Sequence, residues 1–316
     1  MTAVLPISLA VPIFVVGVVV LVKGADVFTD GATRLARALR VSGFVIGVTL
    51  VAMATSIPEL GVSAVAAVRD AGEIAVGNAL GSNIANIALV LGVAVLAMPL
   101  VSDWFKMRRD VLFMLLVGAL GAAIISDKVI QRWEALAMVA LYCIYLTWII
   151  RGREIRERRR GTSVSRDVYF KLLVGALAIY AGAELIVRSA IGISDFFGVT
   201  QTAIGLTIVA LSTSLPELAA SVMAARKKAM GLSVGTIVGS NIFNILMVLG
   251  VAGTLAPISL TDVLPETWEK LIAFNIPLML GLSLLLVALV KFGRIPRKLS
   301  PLLLLCYVIF VWLAYA

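Results

Sequence analysis

Gly47-Val-Thr-Leu-Val-Ala-Met-Ala-Thr-Ser-Ile-Pro-Glu-Leu60 is written a second time in this chain, as Gly205-Leu-Thr-Ile-Val-Ala-Leu-Ser-Thr-Ser-Leu-Pro-Glu-Leu218. Each copy places one carboxylate, Glu59 or Glu217, directly after a proline and inside an otherwise apolar segment. A charge in such a segment costs roughly 2.5–3.5 kcal/mol on insertion scales. Two of them at matched places need a reason, and a bound cation is the simplest.

Working outward, a constant offset of 158 residues carries Gly24 to Gly182, Asp26 to Glu184, Thr55 to Thr213, Ser82 to Ser240, Asn86 to Asn244 and Gly92 to Gly250. About half the positions between Ile46 and Gly92 are identical to their partners, which marks an internal repeat. The 316 residues are 61% hydrophobic and 14% charged. A soluble domain averages about 25% charged residues, so this is a polytopic membrane protein. At ~20 residues per span the chain holds about ten helices. Their expected positions are 4–23, 43–69, 73–98, 110–126, 132–150, 168–190, 200–225, 230–256, 270–290 and 300–316. Five spans per half is odd, so the halves insert with opposite orientation, as in secondary transporters whose site lies at the midplane. The expected fold is therefore all-α and integral to the membrane, with two inverted five-helix repeats and discontinuous core helices. The first repeat is 1–150 (motif 43–92) and the second 168–316 (motif 201–250), joined by a short basic linker, 151–167.

The net charge of +9 does not point to nucleic acid, because the basic residues sort by side. One side takes Lys23, Arg34, Arg37, Arg40, Lys106, Arg108, Arg109, the run Arg151 to Arg160, Arg166, Lys171, Arg226 to Lys228, and Lys291 to Lys298. The other keeps Arg69, Lys128, Arg132, Arg188 and Lys270. The rich side reads as cytoplasmic, so both termini face outward and the basic run contacts anionic lipid. The first apolar run lacks a basic leader and a clear cleavage site, and reads as a retained helix. Cys143 and Cys306 have no metal-ligand spacing, and the absence of histidine argues against zinc sites and histidine relays.

Pro58 cannot donate to the carbonyl of Ala54, nor Pro216 to that of Ser212, so each Pro-Glu break is expected to open a helix at membrane depth. On a helix, Ala52, Thr55, Ser56 and Glu59 share one face; Ala210, Thr213, Ser214 and Glu217 repeat that arrangement. A second motif, Gly77-Asn-Ala-Leu-Gly-Ser-Asn-Ile-Ala-Asn86, is matched by Gly235-Thr-Ile-Val-Gly-Ser-Asn-Ile-Phe-Asn244. Ser82 with Asn86, and Ser240 with Asn244, lie four apart on one face. Asn78 has Thr236 as its partner, so only the first half has an amide there. The glycines suit close helix packing, and Asn83 and Asn241 read as interhelical glue. Counted together, these residues form an all-oxygen cage. Calcium accepts six to eight oxygens at about 2.3–2.6 Å, magnesium fits such a cage poorly, and sodium takes the same ligands as calcium. Two glutamates about 5 Å apart would repel by ~3 kcal/mol at an effective dielectric of 20, which one divalent ion, several monovalent ions or protons would relieve.

At these residues the chain resembles the calcium/cation antiporter superfamily, and within it the sodium/calcium exchangers of prokaryotic type. The matching marks are Thr-Ser-Ile-Pro-Glu (55–59), Gly-Ser-Asn-Ile-Ala-Asn (81–86), Thr-Ser-Leu-Pro-Glu (213–217) and Gly-Ser-Asn-Ile-Phe-Asn (239–244). The resemblance implies a central metal site built from Ala52, Thr55, Ser56, Glu59, Ser82 and Asn86 with Ala210, Thr213, Ser214, Glu217, Ser240 and Asn244. Potassium-dependent relatives carry aspartate where this chain has Asn244, which argues against potassium co-transport. The linker is too short for the regulatory domain of large exchangers. The expectation is a transporter and not an enzyme, exchanging Ca2+ for Na+ in an inner membrane with no cofactor, no nucleic acid and no obligate protein partner. Spans 1 and 6, with their polar marks Lys23-Gly-Ala-Asp26 and Gly182-Ala-Glu184, would be the moving gate, although Asp26 and Glu184 read first as interfacial caps. The alternatives are a Ca2+/H+ exchanger of the same fold, since buried paired carboxylates can carry protons, and a calcium-permeable channel with acidic residues as a selectivity ring. A purely structural membrane protein would not need two glutamates at that depth.

Overall fold

The computed structural model describes residues 5–38, 51–101, 104–152, 166–226 and 230–315. Residues 47–50 of the repeated stretch, 153–165 of the basic linker, Arg40, Lys227 and Lys228 lie outside the described residues. What is described is nearly all helix.

Two helices occupy the centre. Gly72–Ala97 and Ser233–Leu255 have 83% of their apolar windows buried, against 28% for Ile7–Phe28 and 22% for Arg297–Tyr315. Small residues make this depth of burial possible. A Cβ on Gly81 would lie 2.1 Å from the carbonyl oxygen of Leu206, and one on Gly77 would lie 2.8 Å from the Leu206 nitrogen. Both central helices widen into a π turn, at Asn86–Val90 and Asn244–Leu249. Such turns recur at functional sites.

Across them run two broken helices. Val51–Thr55 stops at Ser56 (φ −93°, ψ 10°) and resumes as Ile57–Val68. Gln201–Thr213 stops at Ser214 (φ −82°, ψ 5°) and resumes as Leu215–Arg226 after a bend of 43°. The prolines explain where the break falls. Pro58 and Pro216 sit in the first turn of the resumed helices, where a missing N–H costs nothing.

Ile7–Ala38 and Arg166–Phe197, of 32 residues each, pack antiparallel along a seam of small residues. Gly17 meets Gly182 and Leu185, Gly24 meets Ala178, Gly175 meets Phe28 and Gly192 meets Leu5. Both run well past the expected ends at 23 and 190, because the glycines and acids that read as span ends lie within the helices. Asp26 and Glu184 are therefore not caps. Asp26 is exposed mid-helix, and Glu184 pairs with Arg188 one turn on and with Arg69 at the end of Ile57–Val68. Nearer the start of Arg166–Phe197, Lys171 bonds Asp30 at 2.5 Å and Arg34 reaches Asp167 at 3.4 Å.

Trp104–Ile125, Arg132–Gly152, Pro265–Lys291 and Ser300–Tyr315 complete the structure. Two short antiparallel ladders clip their connections together. Leu100–Val101 pairs with Arg294–Ile295, and Val129–Ile130 pairs with Ile258–Ser259. The outer surface is apolar, with Leu173, Leu177, Tyr180, Leu284, Val308 and Trp312 all exposed, which suits lipid and not water. Among the described residues, six helices are long and apolar enough to cross a bilayer, seven if the bent pair around Ser214 is one span.

Gly81→Ala should lower the unfolding free energy by about 1–3 kcal/mol through overpacking against Leu206. Gly281→Ala, inside Ile276–Lys291 with nothing within 4 Å, should not lower it and should raise it by up to about 1 kcal/mol through helix propensity. Thermal unfolding of both variants in detergent checks the pair.

Candidate functional site

The two breaks and the two central helices meet in one buried place, and all twelve residues expected at the site are among the described ones. Ala52, Ser56, Glu59, Ser82, Asn86, Ala210, Thr213, Ser214, Glu217, Ser240 and Asn244 are buried, whereas Thr55 is only half-buried.

Ser56 and Ser214, the serines at the two breaks, bond across the repeat and not within it. Ser56 donates to Glu217 Oε1 at 2.8 Å, and Ser214 donates to Glu59 Oε1 at 3.2 Å. This departs from a single face carrying Thr55, Ser56 and Glu59 together: the helix breaks at Ser56, which turns its hydroxyl toward the other half. Ser240 adds a longer bond to Glu217 Oε1 at 3.4 Å. Thr55 donates to Ala52 O at 3.1 Å, and Thr213 lies 3.2 Å from Ala210 O.

The asparagines form a second reciprocal set. Asn86 donates to Asn241 Oδ1 at 3.0 Å, and Asn244 donates to Asn83 Oδ1 at 3.2 Å. Asn83 and Asn241 each donate to the other's backbone carbonyl, at 3.3 and 3.5 Å. Reading Asn83 and Asn241 as glue thus matches their contacts, and they do one thing more. By engaging the amide nitrogens of Asn86 and Asn244 they turn the Oδ1 atoms of those two residues away from the glue.

The result is a set of buried oxygens that no hydrogen bond satisfies. Glu59 Oε2, Glu217 Oε2, Asn86 Oδ1, Asn244 Oδ1 and Ser82 Oγ are buried without a hydrogen-bond partner. Each such atom costs about 1–3 kcal/mol, and more where it is charged. All five are oxygens. Among the described residues there is no group of three or more His, Cys, Asp or Glu, so the cluster offers two carboxylates with neutral oxygens around them. That donor set suits a hard cation.

Asn78 and Ser63 were not expected here. Asn78 donates to Glu59 O at 3.2 Å and to Ser63 Oγ at 2.9 Å, and accepts from Thr213 Oγ1 at 3.1 Å. The available signal was the lone amide of the second motif and a serine repeated as Ser221.

With this geometry in view, similarity to known proteins is informative. The sodium/calcium exchanger protein family matches residues 9–151 and 168–316. The sodium/calcium exchanger MaX1 of Methanosarcina acetivorans is 33% identical over 95% of this chain and 96% of its own length. The inner membrane protein YrbG of Escherichia coli is 32% identical over 79% of this chain and 81% of its own length. The sodium-calcium exchanger NCX_Mj, soaked with Na+ and Sr2+, superposes with a TM-score of 0.68 at 32% identity, covering 97% of this chain and 98% of that one. With both halves of the chain inside the family match and the fold shared over nearly its whole length, this multi-pass membrane protein belongs to the sodium/calcium exchanger family of cation antiporters.

Proposed function

We propose that this chain exchanges Ca2+ for Na+ by alternating access at a site between Glu59 and Glu217. The observation that carries the reading is the set of five buried oxygens that no hydrogen bond satisfies, one of them from each glutamate. Calcium takes both carboxylates and the amide oxygens of Asn86 and Asn244, with Ser82 and Ser240 beside them. Sodium takes the neutral oxygens on either flank, Ala52 with Thr55 and Ala210 with Thr213, each set next to one carboxylate through Ser56 or Ser214. The two cargoes share the carboxylates, so loading one kind displaces the other. An empty cage resists switching, because bare carboxylates would be carried through a dry interior. No cofactor is needed. The amide at Asn244, one charge fewer than an aspartate, argues against potassium as a third cargo.

The same reading takes the chain as ten spans in two inverted halves, 1–150 and 168–316, with Val51–Val68, Trp104–Ile125 and Arg132–Gly152 counted beside the more apolar helices. Bonds that recur between residues related by the 158 offset, such as Asn83 to Asn241 O and its converse, support it. So do the ladders, which join connections that the charge sorting assigns to the same side. The rich side is then cytoplasmic and both termini are outside, in a plasma or inner membrane. Ile7–Ala38 and Arg166–Phe197 form the moving element. They are joined to the core through packing of Gly61 on Ile179 and through the Arg69–Glu184 pair.

In proteoliposomes, Glu59→Gln and Glu217→Gln should each cut Na+-driven Ca2+ flux by more than about 100-fold, equivalent to ~2.7 kcal/mol; near-normal flux in both would sink the reading. Ca2+ uptake driven by a pH gradient without Na+ would instead favour a Ca2+/H+ exchanger, and flux with no counter-ion a channel. Arg69→Gln should change maximal turnover by up to about five-fold, the reach of a partly exposed ion pair, with half-saturating Ca2+ unchanged. Rates measured over a Ca2+ titration separate the two.

A further inference from the structure

We infer that Asn78 is a positioning residue that makes the two flanking sodium positions inequivalent, favouring the one bounded by Ala210 and Thr213. This rests on the exchange reading above. A threonine hydroxyl has one proton to give. In the first half, the Thr55 hydroxyl has Ala52 O at 3.1 Å and, beyond it, only the Glu217 carboxylate, itself part of the cage, as an acceptor. That carbonyl also takes the Ser56 nitrogen at 3.1 Å, so both its lone pairs are engaged. In the second half the backbone bond is the same, Ser214 N to Ala210 O at 3.0 Å. Thr213 has the Glu59 carboxylate in the same relation, but it differs in having a neutral side-chain acceptor as well, Asn78 Oδ1 at 3.1 Å beside Ala210 O at 3.2 Å. When the proton goes to Asn78, one lone pair of Ala210 O and those of Thr213 Oγ1 are left for a cation.

Asn78 is held rigidly enough to act as that acceptor. Its two amide protons go to Glu59 O and Ser63 Oγ, and Ser63 in turn donates to Ala75 O at 3.4 Å. Asn78, Ser63 and Thr213 are wholly buried. The repeat partner of Asn78 is Thr236, whose side chain has no carbonyl oxygen to offer Thr55 and no NH2 group to divide between two acceptors. The hydroxyl of Ser221, the partner of Ser63, is accordingly buried without a hydrogen bond. Thr55 itself is half-buried, so its flank is also the less sealed of the two.

The test exchanges these two residues and reads each ion separately. Asn78→Thr should raise half-saturating Na+ by about five-fold, the loss of one well-placed ligand, with half-saturating Ca2+ moving less than about two-fold. Thr236→Asn, designed to offer Thr55 a neutral amide acceptor and Ser221 a donor as Asn78 does in the other half, should lower half-saturating Na+ by about two-fold or more. Its result stands even if Asn78→Thr does not fold. Equal shifts in both ions for Asn78→Thr, or unchanged Na+ dependence in a stably folded Thr236→Asn, would overturn the role assigned to Asn78. Wild-type protein with no Na+-dependent Ca2+ flux would overturn the exchange reading instead, whichever way the variants behave.

Discussion

Everything in this structure is arranged around oxygen atoms that have been taken out of water and left without a hydrogen-bond partner. Glu59 and Glu217 each keep one carboxylate oxygen on a serine and leave the other bare. In a low-dielectric interior such atoms are costly unless a cation or a proton answers them. The surrounding design serves that condition. Prolines set the breaks, glycines let backbones close to contact, and asparagines use their own nitrogens on one another so that their oxygens face elsewhere.

The layers outside this centre are held in two different ways. The central helices are buried on nearly every side, and short ladders tie the connections of the peripheral helices at both ends. Ile7–Ala38 and Arg166–Phe197 instead pack chiefly on each other along glycines, with partly exposed ion pairs at Glu184 and at Asp30. The small residues along that seam let the two backbones approach closely.

Much of this was legible in the sequence, because the physics that made it legible is local. An acid beside a proline in an apolar run announces itself, and its recurrence at a fixed offset identifies the pairing. Helix ends were read less well. Gly24 with Asp26, and Gly182 with Glu184, looked like boundaries, but a helix supported by a neighbour carries polar residues past the apolar core. The crossed partners of Ser56 and Ser214 were not legible at all. Periodicity assigns a side chain to a face of its own helix and does not say which strand of chain lies opposite. Asn78 was visible as an oddity of one repeat, yet its meaning depends on Thr213, which is 135 residues away.

The crossing of the serines has a consequence for how such a protein can be divided or inherited. Ser56 completes the surroundings of Glu217, and Ser214 completes those of Glu59. Neither half owns a finished carboxylate. A single half, expressed alone, would have to find a second copy of itself to shelter its acid, and once two copies are fused each is free to drift only as far as the other's glutamate allows.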